Sequence, residues 1–335
     1  ITDLFEGSAL ELSRAEPDAN TFDIAPDGKR IAFVHDAAAE KRMDNCKVLS
    51  ELNLRTRRTE TLVHDKGWDL EHPRYSPDGQ RIAFVASHQG KKHTMPAQLA
   101  LLERGGRWRV LSADWDHAVH GPLRWADDGQ SVHFTAEAEA RNHLWRFELR
   151  SRSATRVAAG GWVQSFDVAA GVVVCAADAM DHPARVHAHR DGEPPRRLER
   201  FNDDLLATLK LGTHEDVRFK GAQGDEVQMW VVYPPGFDAR KKYPVLHSIH
   251  GGPHAASGDT FHYRWNNHVF AAQGYVVETK APGSSGVFPT GVSDEAILTT
   301  FRQTGSRQAT ADLLGMSRGG VRHRLTRMAS TGLSL

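Results

Sequence analysis

Short apolar segments of strand length, separated by polar turns, recur through the first two hundred residues. Three of them are similar to one another: DIAPDGKRIAFV (residues 23–34), YSPDGQRIAFV (75–85) and, more loosely, WADDGQSVHFT (125–135). In each, a Pro-Asp-Gly or Asp-Asp-Gly turn separates two short strands, because glycine supplies the positive φ that a tight hairpin needs. The stretch from Arg30 to Phe33, after the first of these turns, is predicted to be a half-buried strand.

The turn glycines give the period of this repeat. Gly28, Gly79 and Gly129 follow one another at intervals of about fifty residues, a spacing typical of propeller blades. A weaker fourth unit runs from Gln164 to Ala188 without the Pro-Asp-Gly turn. A period of this length with about four short strands in each repeat predicts a partial β-propeller of about four blades. A β-sandwich or a set of unrelated hairpins is the alternative.

A second pattern begins after Pro194 and Pro195 and a charged stretch. Its predicted elements are a hairpin over 217–233 that turns at Gly224, a buried strand over 245–249, a helix over 265–273 and an apolar strand over 274–277. The strand–helix–strand order indicates an α/β sheet. We therefore predict a partial propeller over residues 1–205, the first part of an α/β domain over 206–290 and a divergent tail over 291–335.

The composition narrows the classes of function. A chain of 335 residues exceeds a usual single domain, and 40% apolar with 25% charged residues is typical of a globular protein. The formal net charge of zero gives no overall attraction to nucleic acid or to an anionic membrane. No apolar run approaches the ~18 residues of a membrane span. We therefore expect no membrane partner.

Cysteine and histidine usage predicts the compartment and the cofactors. Cys46 and Cys175 are the only cysteines, which excludes a disulfide framework and fits a reducing cytoplasm. The first residues lack the pattern of a signal peptide, and they begin without Met, as expected for a fragment or a processed form. The 19 histidines are scattered, with no HExxH or CxxC spacing. We predict no metal and no other cofactor.

The candidate chemistry begins at His250-Gly251-Gly252-Pro253, directly after the predicted strand over 245–249. Two successive glycines let the backbone N–H groups approach a ligand more closely than residues with a Cβ atom allow. Such donors can stabilise an oxyanion. A tight turn at the end of a strand is the alternative interpretation of this tetrapeptide.

These motifs together resemble the acylaminoacyl-peptidase and dipeptidyl-peptidase branch of the prolyl oligopeptidase family of serine peptidases. The resemblance rests on the Pro-Asp-Gly repeats, then on FKGAQGDEVQMWVVYPPGFDARKKYPVLHSIHGGPH (219–254), AAQGYVV (271–277) and PGSSG (282–286). It implies a β-propeller that restricts access to an α/β-hydrolase domain, with cleavage of short or N-acylated peptides at a terminus. The family propeller has more blades than this sequence shows, so the resemblance implies truncation at both ends and an incomplete hydrolase domain.

The resemblance also implies a nucleophile and its oxyanion donors. Ser317 lies in the one Gly-x-Ser-x-Gly match, with Gly251, Gly252 and the N–H of Arg318 as donors. Three features argue against an active Ser317. Residues 306–314 have a helical rather than a strand pattern, the interval from Val277 is short, and after Ser317 the sequence has no Asp and His323 alone. The upstream histidines are interpreted as loop or surface residues: His247, His250, His254, His262 and His268.

The tail allows other interpretations. Residues 308–328 could form a helix, a Gly-Met-Ser turn and a second helix, which resembles a Fis-type helix-turn-helix. Its basic side chains, which give the one predicted route to nucleic acid, are Arg318, Arg322, Arg324 and Arg327. A tail unrelated to the family is the third possibility.

The sequence thus predicts a serine-peptidase-like protein of impaired activity. Its predicted partner is a short peptide substrate. Open blade edges could also support self-association. The alternatives are an inactive binding remnant and a fusion with a DNA-binding tail.

Overall fold

The computed structural model describes most of the chain between residues 21 and 304. The described residues are 21–36, 47–91, 95–221, 224, 226–249, 257–280, 294–304, 306, 309–310 and 325. They fall into two compact units, one from residues 1–136, 145–156 and 168–171 and the other from 137–144, 157–167 and 172–335. The predicted domain boundaries, which divide the chain differently, stay a prediction.

The first unit contains two four-stranded antiparallel sheets. The strands of the first sheet are β1 (Phe22–Ile24), β2 (Arg30–Asp36), β3 (Lys47–Asn53) and β4 (Thr59–Val63). The strands of the second are β5 (Trp68–Tyr75), β6 (Arg81–His88), β7 (Gln98–Glu103) and β8 (Trp108–Val110). In both sheets the spatial order follows the chain order, so each strand pairs with the next through a turn.

The three predicted repeat turns have the same backbone geometry. Gly28, Gly79 and Gly129 have φ of 66°, 66° and 65°. In each turn the glycine N–H donates to the carbonyl of the residue three positions earlier, at 2.8, 2.8 and 2.9 Å. This confirms the role predicted for glycine at these positions. The prediction of a half-buried β2 was wrong, because β2 packs against β5 as well as its neighbours and its residues are buried except for Ile31.

Eight further strands follow the two sheets. They are β9 (His120–Trp125), β10 (Ser131–Ala138), β11 (Arg141–Glu148), β12 (Ser153–Ala158), β13 (Trp162–Ala169), β14 (Val172–Ala179), β15 (His182–His189) and β16 (Arg196–Arg197). β9 pairs antiparallel with β10, and β14 with β15. β15 also pairs antiparallel with β16. The weak fourth repeat predicted from Gln164 to Ala188 is therefore strand-rich, as expected.

The second unit also contains a mixed four-stranded sheet. Its strands are β17 (His214–Lys220), β18 (Glu226–Val232), β19 (Val245–Ser248) and β20 (Val276–Lys280). The spatial order is β17-β18-β20-β19, in which the pairs β17–β18 and β18–β20 are antiparallel and the pair β19–β20 is parallel. The predicted hairpin around Gly224, whose φ is 79°, is confirmed as β17–β18.

Three α-helices are described: α1 (Asp203–Thr208), α2 (Asn267–Ala271) and α3 (Asp294–Thr304). α2 connects the parallel strands β19 and β20, which confirms the predicted strand–helix–strand order with a shorter helix than expected. The Asn266 side chain accepts a hydrogen bond from the N–H of His268 and so caps α2. α2 packs on the sheet through Ala271, over Trp230, Val232 and Val277.

Candidate functional site

The two parallel strands of the second unit define the candidate site. β19 ends at Ser248 and is followed by the sequence His250-Gly251-Gly252-Pro253, whereas β20 ends at Lys280 and is followed by Pro282-Gly-Ser-Ser-Gly286. Parallel strands end at the same edge of a sheet, and ligands of α/β sheets bind beyond the carboxyl ends of the strands. Both glycine-rich segments therefore begin at the edge where a ligand site is expected.

The predicted site residues themselves are not among the described residues. Gly251, Gly252, Ser317 and Arg318 lie outside them. The predicted oxyanion loop lies between Ile249 and Ser257. The residues that follow it, 257–260, make several polar contacts with other parts of the second unit.

Asp259 is the centre of these contacts. Its side chain is buried, and its Oδ1 accepts a hydrogen bond from the N–H of Met180 at 3.0 Å. Its Oδ2 lies 3.6 Å from Nε of Arg141. The Asp259 N–H donates to the carbonyl of Ala140 at 2.9 Å. These contacts pair and hydrogen-bond the buried carboxyl group, as burial of a polar group requires.

Thr260 and Gly258 hold the same segment on either side of Asp259. Thr260 Oγ1 donates to Oδ1 of Asp178 at 3.0 Å, and Gln164 Nε2 donates to the other oxygen at 2.9 Å. Burial raises the pKa of Asp178, and the two donors oppose that rise. A Cβ atom on Gly258 would lie 2.3 Å from Cζ3 of Trp162. Glycine is therefore required for this close approach.

Arg141 links Asp259 to the sheet. Its guanidinium lies 4.5 Å from the centre of the Trp230 ring, and Nη1 is 3.1 Å from Oδ2 of Asp216. The same Asp216 oxygen accepts from Nε2 of Gln228 at 2.9 Å. Arg141 thus lies between two carboxylates and above an aromatic ring, an arrangement that favours a planar guanidinium over an ammonium.

His268 corrects the prediction that the upstream histidines are loop or surface residues. It lies in α2, only 4% exposed, with its ring centre 6.2 Å from that of His214. Neither ring nitrogen has a hydrogen-bond partner among the residues that the structure describes. Burial lowers the pKa of His268, the nearby His214 lowers it further, and Asp181 acts in the opposite direction. Because a lowered pKa favours the neutral imidazole, the ring of His268 can be buried against the sheet. His247 is half-exposed beside Glu278, and His262 is exposed; His250 and His254 lie outside the described residues.

A helical turn begins ahead of Ser317. Ala309 and Thr310 are helical, and the N–H of Thr310 donates to the carbonyl of Ser306 at 2.9 Å. Ser306 Oγ accepts from the N–H of Ala309 at 3.3 Å, which is the geometry of an N-cap. These residues agree with the helical pattern over 306–314, whose other residues lie outside the description. Leu325 is also helical and buried.

Known proteins resemble most of this chain. Dipeptidyl-peptidase 5 of Trichophyton equinum is 28% identical over 296 residues, which cover 82% of this chain and 40% of that protein. The chain is thus similar in sequence to known peptidases. Dipeptidyl-peptidase 5 of Arthroderma otae is also 28% identical to this chain, over 302 residues that cover 82% of this chain and 40% of that protein. No family model matches the sequence.

Solved structures of peptidases share the fold. The Pyrococcus horikoshii acylaminoacyl peptidase superposes with a TM-score of 0.62 at 20% identity, over 79% of this chain and 40% of that chain. A Mycobacterium tuberculosis puromycin-hydrolyzing peptidase gives 0.57 at 16% identity, over 77% of this chain and 41% of that chain. The chain thus spans about two-fifths of the length of the curated relatives it matches. In the part of the chain that is described, no helix is long and apolar enough to cross a membrane.

The sequence did not indicate Asp259, Asp178 or Arg141 as residues that support the site. Their contacts join positions more than seventy residues apart, such as Met180 with Asp259 and Arg141 with Asp216. One signal was available: Gly258-Asp259-Thr260 is a polar run with glycine between the predicted loop and the predicted helix. Such a run predicts a turn but not its partners.

Proposed function

We propose that this chain is a serine-peptidase-like protein, with a partial β-propeller over residues 1–205 and the first part of an α/β-hydrolase domain over 206–290. The observation that carries the proposal is the mixed sheet, in which the parallel pair β19–β20 directs both glycine-rich segments to one edge. Antiparallel strands at the edge of a parallel pair are common in α/β folds. The proposed reaction class is peptide hydrolysis, because the similar proteins are named as peptidases.

The repeat of hairpins supports the propeller part of the proposal. Two four-stranded antiparallel sheets follow one another with turns of the same geometry about fifty residues apart, as expected for blades. A contact between repeats is also present: Trp125 Nε1 donates to the carbonyl of Arg74 in the preceding repeat at 3.0 Å. Self-association through open blade edges stays a prediction.

The substrate class follows from the relatives. Their names describe dipeptidyl and acylaminoacyl peptidases, so the proposed substrates are short or N-acylated peptides cleaved at a terminus. Gly251, Gly252 and the N–H of Arg318 are the proposed oxyanion donors, and Ser317 is the candidate nucleophile. No cofactor enters this chemistry, and the proposed compartment is the cytoplasm.

We further propose that hydrolysis by this chain is impaired. A nucleophile elbow needs a strand ahead of its serine, whereas Ser306, Ala309 and Thr310 begin a capped helical turn. A serine without an adjacent base is an ordinary alcohol. The inactive alternative, a remnant that binds peptides without cleaving them, follows from the same observation.

A fluorophosphonate probe tests this proposal. We expect folded protein to show no labelling at Ser317 by intact-mass and peptide analysis, and no hydrolysis of dipeptidyl or N-acylaminoacyl anilides. The matched control is Ser317→Ala, which should behave in the same way as the unaltered chain. Stoichiometric labelling that disappears in Ser317→Ala would contradict the impairment and establish Ser317 as a nucleophile.

The helical turn also favours a second function for the tail over residues 291–335. A helix that begins at Ser306 and a buried helical Leu325 fit a helix-turn-helix, whose basic residues would be Arg318, Arg322, Arg324 and Arg327. Fluorescence anisotropy with duplex DNA tests this candidate. Binding that weakens steeply with salt supports it, because phosphate contacts release counterions, and binding without salt dependence removes it.

A further inference from the structure

The segment directly ahead of α2 is an exposed run of aromatic and basic residues. Its sequence FHYRW (residues 261–265) alternates three aromatic with two basic side chains. Tyr263 is 86% exposed and Trp265 59%, and His262 and Arg264 are also exposed. Exposed aromatic side chains that lie close together form a patch of the kind that marks interaction sites. We call residues 261–265 the aromatic–basic loop.

Both ends of the aromatic–basic loop are fixed by hydrogen bonds. At its start, Oδ1 of Asp178 accepts from Thr260 Oγ1 at 3.0 Å, and the Asp178 carboxyl group also accepts from the N–H of Phe261. At its end, Oδ1 of Asn266 accepts from the N–H of His268 at 2.9 Å and caps α2. A loop whose ends are already ordered loses less conformational entropy when it binds a partner.

Ring contacts order the side chains within the loop. The rings of Phe261 and Tyr263 meet edge to face, with their centres 4.9 Å apart. The Arg264 guanidinium lies 5.3 Å from the centre of the Trp265 ring. A guanidinium stacked on an aromatic ring still presents a planar fork of N–H donors, which fits a carboxylate through two parallel hydrogen bonds. The loop therefore offers this fork beside exposed aromatic rings.

The charge of Arg264 is not compensated within the part of the chain that the structure describes, where no carboxyl group pairs with it. The carboxyl groups at the start of the loop are engaged elsewhere. Asp259 lies beside Arg141, and Asp178 accepts from Gln164 as well as from the loop. A partner that brings its own carboxylate therefore complements the charge of this surface.

We propose that the aromatic–basic loop binds a peptide segment in which an acidic residue lies beside an apolar one. The carboxylate of the peptide accepts hydrogen bonds from Arg264, and its apolar side chain packs against the exposed rings of Tyr263 and Trp265. Tyr, Trp and Arg are the residue types most enriched among those that dominate the binding energy of protein interfaces. All three occur here within three consecutive positions.

The charge of the loop favours an acidic peptide over a nucleic acid. Affinity for nucleic acid comes from several Lys and Arg side chains that contact successive phosphates. The loop has a single arginine, and the formal net charge of the whole chain is zero. One arginine is enough for one carboxylate, whereas a run of phosphates needs more cations than this surface has.

Fluorescence anisotropy with a fluorescein-labelled peptide, Gly-Glu-Leu-Glu-Leu-Gly, and the whole chain tests this proposal. We expect saturable binding that weakens as salt is added. Arg264→Ala should raise the dissociation constant about tenfold, equivalent to ~1.4 kcal/mol. Arg264→Lys should recover part of this loss, because lysine keeps the charge but not the planar fork. Arg240→Ala is the matched control, since Arg240 is an exposed arginine paired with Asp238 outside the loop, and it should leave the constant unchanged.

Four results would overturn the proposal. They are no saturable binding, equal binding of the same peptide with Gln in place of Glu, an unchanged constant in Arg264→Ala, and tighter binding of a single-stranded oligonucleotide than of the peptide. Circular dichroism checks that each variant is folded. If Arg264→Ala does not fold, Tyr263→Ala makes the same test, with an expected rise of about threefold. The assay measures binding without cleavage, so it can fail or succeed separately from the labelling of Ser317 that tests the proposed function.

Discussion

The hairpin repeats of the first unit and the polar contacts of the second unit are built in different ways. In the repeats the same contact occurs twice: Arg30 and Arg81 donate to the carbonyls of Gly79 and Gly129 in the following repeat, at 3.4 and 2.9 Å. Each guanidinium also lies over an aromatic ring of that repeat, at 5.4 Å from the Tyr75 centre and 5.1 Å from the Trp125 centre.

In the second unit one carboxylate joins parts of the chain that are far apart in sequence. Asp259 accepts a hydrogen bond from the N–H of Met180 and lies beside Arg141, which also contacts Asp216. Repeats spread stability over equivalent contacts between neighbours, whereas these contacts of the second unit meet at one buried carboxyl group. Substitutions should therefore have larger effects in the second unit, and four predictions test this difference in order of decreasing effect.

The first prediction concerns Asp259→Ala. The substitution removes the partner of a Met180 N–H and of the Arg141 guanidinium in a buried place, so we expect the free energy of unfolding to fall by about 3 kcal/mol. Urea unfolding followed by tryptophan fluorescence measures it. Asp259→Asn, which keeps an acceptor for Met180 but not the charge, should lose less. Equal losses of unfolding free energy in the two variants would show that a charge at residue 259 does not contribute to stability.

The second prediction concerns Arg81→Ala. The variant loses the hydrogen bond to Gly129 and the contact with the Trp125 ring, which together amount to about 2 kcal/mol. Arg109→Ala is the matched control, because Arg109 forms an exposed pair with Glu103 and should change stability by less than about 0.5 kcal/mol. A loss in Arg81→Ala larger than in Asp259→Ala would reverse the comparison between the units.

The third prediction concerns pH. Burial lowers the pKa of His268 in the folded state, so below its ordinary pKa the unfolded chain binds a proton that the folded chain does not. Stability should therefore be complete above about pH 6.5 and fall as the pH decreases towards the folded pKa, with a slope of at most ~1.4 kcal/mol per pH unit. Unfolding measured across this range should show the slope.

The variant His268→Phe isolates this effect. A phenylalanine fills the same buried space without a titratable group, so the slope below about pH 6.5 should become smaller. His262→Phe changes an exposed histidine and is the matched control. An unchanged slope in His268→Phe would mean that other groups cause the pH dependence.

The repeat turns, the hairpin at Gly224 and the order β19-α2-β20 could be predicted from the sequence because each depends on neighbouring residues. Glycine at positive φ and a strand–helix–strand pattern are local signals. The roles of Asp259, Asp178 and Arg141 could not be predicted, because their partners are distant in sequence and the charged residues look like surface residues in isolation. His268 was misjudged for the same reason: burial depends on the sheet beneath α2. The α3 helix was not predicted either.

The last and smallest prediction compares Gly28 with Gly79. Both have φ of 66°, so Gly28→Ala and Gly79→Ala should each lose about 1 kcal/mol from strain at positive φ. A Cβ on Gly28 meets nothing within 4 Å, but on Gly79 it lies 3.3 Å from Nη2 of Arg30. Gly79→Ala should therefore lose a few tenths of a kcal/mol more, because the guanidinium must move away from the Gly79 carbonyl. In an Arg30→Ala background this difference should vanish, since a double-mutant cycle removes the shared contact. A difference that persists would mean that the extra loss in Gly79→Ala does not come from its contact with Arg30.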